Sequence, residues 1–445
     1  MRLPPALRLL RINIVLAAAS FLSSVLLARA LDPAGRGDLA NLLLWPTFLA
    51  NIGLLGVHIY LARQVAARKD AAALYYHVGI RAALVTSIVF SLLCAAILFS
   101  GAVPSLAGLN LPTALSAILI LPFSAWNALQ VQIELGRSNL STYNWARASF
   151  SLLYLGLTAV LWATATSSAE TFLFGYLCAA VFSAVSTHIL VRRGEHGVSA
   201  APSQRSAGGL QALAATFKAA WPFALLIGVT GLVSAIDRVA LSLLFDARTM
   251  GIYVIALAMS QLQTIINESI SPLFFPRLSQ KEAISDADPR WLGMRLRQVV
   301  LINALIGVFL MVAAPLLLPL VFGSAYMSSL DIVHLLIAAT CLRSMMRPFE
   351  EVLKGGNRPL QQAAATIAMI VVFIAGAALA ALMHSVQGIA LALVIASLTG
   401  LGMVAATVSR ESGIGIASLL FPRLKDVAAL LFETMSILKP KDRAV

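Results

Sequence analysis

Twelve apolar runs, each near the length needed to cross roughly 30 Å of hydrocarbon, occupy almost the entire chain. No other feature of the sequence restricts the fold so severely. Their approximate limits are 12–28, 39–62, 78–100, 112–133, 144–163, 170–191, 219–244, 250–274, 296–321, 328–346, 360–383 and 386–408. Only 11% of the 445 residues are charged and 60% are hydrophobic, whereas a soluble domain carries about 25% charged residues. The expected fold class is an all-α polytopic membrane protein with about twelve transmembrane helices.

The net charge of +13 invites a nucleic-acid partner, but the placement of the basic residues excludes one. Of 32 lysines and arginines, all but Arg29, Arg36, Arg238 and Arg248 fall on alternate loops that share one side of the membrane. Arg29, Arg36 and Arg248 are expected in outer loops, and Arg238 within a span. Such asymmetry is the positive-inside rule, and it sets both termini on the cytoplasmic side. The N-terminal MRLPPALRLLR and the triplet Ala28-Arg29-Ala30 imitate a cleavable signal. The apolar stretch between them is long for a signal core, so it is read as the retained first span. Cys94, Cys178 and Cys341 stand alone in apolar runs, which suits packing residues, with no metal site implied.

The longest polar gap, RRGEHGVSAAPSQRSAGG at 192–209, comes after the sixth span and reads as a linker. A shift of 214 residues superposes Leu27 on Leu241, Asp32 on Asp246, Gly37 on Gly251, Arg63 on Arg277 and Arg81 on Arg295. Six spans separate equivalent points, so the repeats share one orientation and their pseudo-twofold axis runs along the membrane normal. The expected domains are an N-terminal six-helix bundle (1–191), a cytoplasmic linker (192–218), a C-terminal six-helix bundle (219–408) and a cytoplasmic tail (409–445) carrying an interfacial amphipathic helix. The turns at Asp32 and Asp246 are read as hairpins, with Asp32 as N-cap and Pro33 as first helical residue.

The stretch AIDRVALSLLFDARTMGIYVIALAM at 235–259 resembles a signature of the polysaccharide-exporter branch of the MOP superfamily, in which a membrane-embedded Asp precedes an exit turn and a Gly-x-Tyr-x-x-Ala helix start. SPLFFPRLSQ at 271–280 and the segment 321–359 are similar to the next segments of those proteins. The resemblance implies a Wzx-type flippase. Such proteins move undecaprenyl-diphosphate-linked oligosaccharides across the bacterial inner membrane for surface polysaccharide (O-antigen, lipopolysaccharide or exopolysaccharide) synthesis. It implies two bundles around a central cavity, a lipid-linked oligosaccharide and membrane lipids as partners, and contact with polysaccharide polymerase and chain-length machinery.

The residues supply candidate chemistry for such a task. Ionisable groups within spans are costly and mark pathways. Arg238 is expected to contact phosphate through paired hydrogen bonds; a structural ion pair with Glu268 is the competing reading. Asn51, His58, Asn127, Gln130 and Gln132 add polar substrate contacts, while His188 and His334 read as lone structural histidines. Asp237, which adjacent helical geometry keeps from facing Arg238, is expected to find another partner or to couple a sodium ion or proton. Arg63, Arg81, Arg277 and Arg295 lie near cytoplasmic helix ends, as snorkelling side chains or as a basic entrance ring. No cofactor motif is present, and the outer connections are too short for a catalytic domain, so an enzyme is not expected. A MATE-like multidrug or cation antiporter and a lipid II flippase are the rival readings.

The topology generates a direct test. Cysteines placed at Ala34 and Ala247 should react with an impermeant thiol reagent from the periplasm, while one at Ser203 should be protected in intact cells. Labelling at Ser203 from outside would invert the orientation.

Overall fold

The computed structural model describes residues 5–68, 71–165, 168–195, 210–264, 284, 288–356, 358–423 and 426. The described regular elements are all helical, as a chain in lipid requires when no water is present to satisfy a free N–H or C=O. They are α1 (Pro5–Ala30), α2 (Pro33–Gly53), α3 (Val57–Ala67), α4 (Ala72–Phe99), α5 (Leu111–Gly136), α6 (Leu140–Ala163) and α7 (Ala169–Glu195). Next come α8 (Leu210–Leu244), α9 (Ala247–Gln261), α10 (Pro289–Val321), α11 (Leu330–Gly355), α12 (Pro359–Leu382), α13 (Val386–Ser412) and α14 (Ile416–Leu420). Short 3-10 turns lie at Pro104–Leu106 and Ser324–Ser329.

Ten described helical segments are long and apolar enough to span, and eleven if the bent pair α2 and α3 counts as one crossing. They coincide with eleven of the twelve apolar runs; the eighth starts in α9 and continues beyond residue 264, outside the described residues. The lipid-facing sides are recognisable by what they expose. Leu84, Ile88 and Leu92, four residues apart on α4, are 57%, 63% and 68% accessible, and a stripe of that kind faces hydrocarbon. Val308, Val312, Leu316 and Leu320 repeat the pattern on α10.

Helix starts obey their caps. Asp32 takes the amide of Gly35 at 2.8 Å with Pro33 as first helical residue, as expected; Asp246 takes that of Thr249 at 2.9 Å, Asn110 that of Thr113 at 2.9 Å, and Ser385 that of Gly388 at 3.0 Å. The hydrogen bonds from Thr249 hold the Asp246 carboxyl below the usual carboxylate range. Helix α8 begins at Leu210, nine residues before the seventh apolar run, because LQALAATFK is rich in strong helix formers. The expected linker is therefore helical at both ends, and its middle, 196–209, lies outside the described residues.

The chain forms two compact units: Met1–Ala258 with Leu318–Ser329, and Met259–Leu317 with Leu330–Val445. In the first, one apolar cluster gathers Leu39, Trp45, Ile120 and Phe172, and a second gathers Leu61, Tyr76 and Leu129. Helices α2 and α3 meet at 43°. The break is set by Leu55 and Gly56, both left-handed, with Gly56 packed so closely on α8 that a Cβ would lie 2.5 Å from the Ala224 nitrogen. Two repeat-related turns meet in the same unit. A Cβ on Gly37 would fall 1.6 Å from the carbonyl oxygen of Ala247, and one on Gly251 would fall 1.9 Å from that of Pro33. Since 33 and 247 are equivalent under the 214-residue shift, as are 37 and 251, the contact is self-complementary, as twofold contacts are.

In the second unit Gly400 of α13 receives the sulfur-bearing side chains of Met369 and Met346. Arg297 on α10 clamps Asp426 with Nε to Oδ2 at 2.6 Å and Nη2 to Oδ1 at 3.0 Å. The clamp holds the Asp426 carboxyl below its ordinary range, so the tie persists until pH falls through that lowered value. It anchors the start of the tail. Of the expected interfacial helix, only α14 and Asp426 among residues 416–438 carry described helical structure.

Gly37→Ala and Gly251→Ala should each destabilise the protein by about 1–3 kcal/mol, the usual cost of overpacking. The double variant should cost less than the sum, because both act on one contact. Gly402→Ala, which meets nothing within 4 Å, is the neutral control. Thermal unfolding of purified variants in detergent reads all four.

Candidate functional site

Two polar groups emerge within the first unit, and the sequence candidates divide between them. The first lies along the seam of α2 and α3 with α8. The helices run antiparallel, pinned by Trp45 Nε1 donating to Ser242 Oγ at 3.2 Å, by Ile52 against Gly231, and by Gly56 against Phe223 and Ala224. Asn51 and His58 flank these contacts in sequence on α2 and α3, and Arg238, seven residues after Gly231, falls on the same face of α8, while Asp237 is turned away from it. Gly231 precedes Asp237 by six residues, about 9 Å of helix rise.

Asp237 is 5% exposed and accepts the Tyr253 hydroxyl at Oδ2, 2.8 Å away. The sequence motif thereby acquires a physical reason. Gly251 lets α9 approach the first hairpin, and two residues later Tyr253 reaches Asp237. The expectation that Asp237 and Arg238 do not interact needs correction. The two backbone positions diverge, but the long arginine side chain folds back along the helix, as helical side chains do. Its Nη2 donates to the Ser234 carbonyl, and its Nε comes to 3.8 Å from Asp237 Oδ1. Nε has no hydrogen-bond partner, and the Arg238 side chain stays 30% accessible. Its guanidinium is thus half-open, with bonding capacity left over. Glu268, the competing partner, lies outside the described residues. His58, just past the break, is half-buried with Nδ1 unpartnered, and Asn51 is exposed.

The second group is interior to the N-terminal helices. Gln130 on α5 is fully buried and donates through Nε2 to the Tyr76 hydroxyl at 3.0 Å; that hydroxyl also meets His188 Nδ1 at 2.6 Å. Asn127 donates to the Ala146 carbonyl at 3.2 Å, and Gln132 is half-buried. His188, alone in its stretch of sequence, is not alone in space. Only the fold shows that α4, α5 and α7 bring Tyr76, Gln130 and His188 into one chain of hydrogen bonds. Glu134, also on α5, is absent from the sequence candidates; it is fully buried and accepts Arg137 at 2.8 Å and Asn139 at 2.7 Å.

Of the four basic residues near helix ends, Arg63 and Arg81 are exposed, Arg295 donates to Gln298 at 2.9 Å, and Arg277 lies outside the described residues. Arg347 forms a local ion pair with Glu350, one turn on, at 3.5 Å. Arg36, expected in an outer loop, stands instead inside the first turns of α2 and is 7% exposed. The signal was available: an N-cap at Asp32 puts position 36 in the helix.

The same helical fold is seen in solved membrane transporters. An inward-facing multidrug resistance transporter of the MATE family superposes with a TM-score of 0.65 at 12% identity, over 91% of this chain and 99% of its own. The lipid II flippase MurJ, inward closed, gives 0.61 at 13% over 97% and 94%, and a eukaryotic MATE transporter gives 0.58 at 15% over 91% and 96%. The chain thus has the fold of these multi-pass membrane proteins. Residues 6–282, more than half of the chain, match the profile of the Polysaccharide biosynthesis protein family, and the chain belongs to that family. No curated protein sequence matches it.

The bond between Asp237 and Tyr253 can be tested apart from transport. Tyr253→Phe should cost about 1.5–3 kcal/mol, as expected for a hydrogen bond to a charged acceptor. In a double-mutant cycle with Asp237→Asn, thermal stability should show a coupling energy of about 0.5 kcal/mol or more. Strict additivity would mean that the two side chains do not depend on each other.

Proposed function

We propose that the chain is a flippase that carries an undecaprenyl-diphosphate-linked oligosaccharide from the cytoplasmic to the periplasmic leaflet of the bacterial inner membrane. Both termini are cytoplasmic. Transport proceeds by alternating access between six-helix bundles at 1–191 and 219–408, joined by a cytoplasmic linker at 192–218, with a central cavity for the polar head and the lipid tail left in the bilayer. The observation that carries this reading is the half-open guanidinium of Arg238 beside the buried carboxylate of Asp237 on one turn of α8. Membership in a polysaccharide biosynthesis family supports a glycan-bearing substrate.

The chemistry suits the load. An anionic diphosphate with many sugar hydroxyls does not cross hydrocarbon unaided. Arg238 supplies phosphate-binding donors, while Asn51, His58, Asn127, Gln130, Gln132 and Glu268 supply polar contacts along the route. Arg63, Arg81, Arg277 and Arg295 form a basic entrance on the cytoplasmic side, where anionic lipid-linked substrate collects. Asp237 couples a sodium ion or proton: a buried carboxylate already holding one hydroxyl donor gains a cation at low cost when Arg238 turns to substrate. Polysaccharide polymerase and chain-length machinery are the partners downstream.

Translocation of lipid-linked oligosaccharide in vesicles, with protein level checked, tests the reading. Arg238→Lys should keep part of the activity and Arg238→Ala should lose most of it, on the order of tenfold or more. Asp237→Asn should flatten the response to an imposed sodium or proton gradient. Recovery in Arg238→Ala with Glu268→Ala would return Arg238 to a structural ion pair. Efflux of cationic drugs without glycolipid translocation would favour the antiporter.

A further inference from the structure

Arg36 is a buried cation that no described carboxylate neutralises. It is 7% exposed, its Nε is fully buried without a hydrogen-bond partner, and among the described residues the guanidinium forms no ion pair. The two nearest carboxylates in sequence do not relieve it. Asp32 is exposed and spends Oδ1 on the Gly35 amide, while Asp38 is half-buried and unpaired with it. The guanidinium also stands at the N-terminal end of α2, where the helix dipole adds positive rather than negative potential. Leaving a charge buried and uncompensated is expensive.

The side chains that the fold brings near it are phenols, which carry no charge to balance it. Tyr154 on α6, 8% exposed, packs in one apolar cluster with Leu39, Leu42 and Trp45 of α2; its hydroxyl has Thr158, one turn on, as its neighbour and lies within electrostatic range of the guanidinium, as does Tyr326. Tyr326 is fixed there by its own bond to the Leu31 carbonyl at 3.3 Å. All of these residues belong to the first compact unit.

Packing alone does not call for an arginine at this position. Under the 214-residue repeat, Arg36 corresponds to Met250, which is 1% exposed. The second copy of the hairpin fills the equivalent place with an apolar side chain. The first copy keeps a cation with a buried phenol nearby.

We propose that Arg36 and Tyr154 form an anion site for a phosphate ester at the Asp32 end of α2, separate from Arg238, where the diphosphate of the lipid-linked substrate is held before release. The assignment to the substrate rests on the flippase reading; the phosphate chemistry does not. Arg36 and Arg238 lie on different helices, and on this reading a diphosphate passes from the second to the first as the route opens outward. A bilayer phospholipid carries the same phosphate chemistry and is the other source.

The experiment uses the full chain in phosphatidylcholine nanodiscs, titrated with farnesyl diphosphate and followed by tryptophan fluorescence, since Trp45 lies on the same helix. Arg36→Met, which borrows the repeat's own residue, should fold with unchanged or raised thermal stability and bind the diphosphate about tenfold or more weakly, as expected for loss of a charge-assisted contact. Arg36→Lys should retain part of the affinity, and Tyr154→Phe should weaken binding less than Arg36→Met. Arg238→Ala serves as the comparison, and a diphosphate retained there but lost in Arg36→Met supports a distinct site. Saturable phosphatidylglycerol binding that depends on Arg36, with no effect of the variant on farnesyl diphosphate, would assign the site to the bilayer and overturn the substrate assignment. Wild-type affinity for both probes in a well-folded Arg36→Met protein would overturn the site itself. Arg36-dependent binding in a chain that fails to translocate lipid-linked oligosaccharide would leave the site standing and remove the flippase reading.

Discussion

The first compact unit depends on two backbones approaching where neither carries a side chain. Gly37 admits the Ala247 carbonyl, and Gly251 admits that of Pro33. This contact sets α9 against α2, and two residues along α9 it determines where Tyr253 points. Asp237 is therefore satisfied by a partner that the close approach delivers, at 2.8 Å. A larger residue at either glycine would displace the helix that satisfies a membrane-embedded carboxylate.

The cost of burying charge orders the remaining polar residues. Arg297 and Asp426 neutralise each other, Glu134 is met by Arg137 and Asn139, and Gln130 joins Tyr76 and His188. Against that background two arginines in the first unit retain unspent capacity. Arg238 is half-open beside a carboxylate, and Arg36 is buried without one. On the proposed function, cations held this way suit an anionic head, because a fully paired guanidinium has no donors left for a ligand. The two differ in what balances them, which suits successive stations rather than one shared site.

Much of the architecture was legible in the amino-acid order because lipid imposes a simple rule: a crossing must be apolar, helical and about 20 residues long. Eleven of the twelve apolar runs recur as helices or as the bent pair, the Asp32 and Asp246 caps fall at the ends of the first and seventh spans, and the 214-residue repeat identified the two glycines that touch. The membrane Asp and the Gly-x-Tyr start are visible in the sequence as a motif without a reason. Arg36 reads as a loop residue because its charge suggests a helix end, although the cap at Asp32 counts it into the helix.

Sequence by itself determined the solvent, the class of element, the approximate helix limits and the residue types able to meet a phosphate or a cation. Each of these depends only on local composition and spacing along one chain. Tertiary structure alone decided which polar groups are spent and which are free: that Tyr253 answers Asp237, that Arg238 folds back toward its neighbour, that His188 is part of a network, and that Arg36 is buried without a carboxylate partner. Those outcomes depend on which helices lie side by side. Residues such as Asp237 and Tyr253, or Arg36 and Tyr154, stand on different helices, and no periodicity within one helix encodes the distance between two.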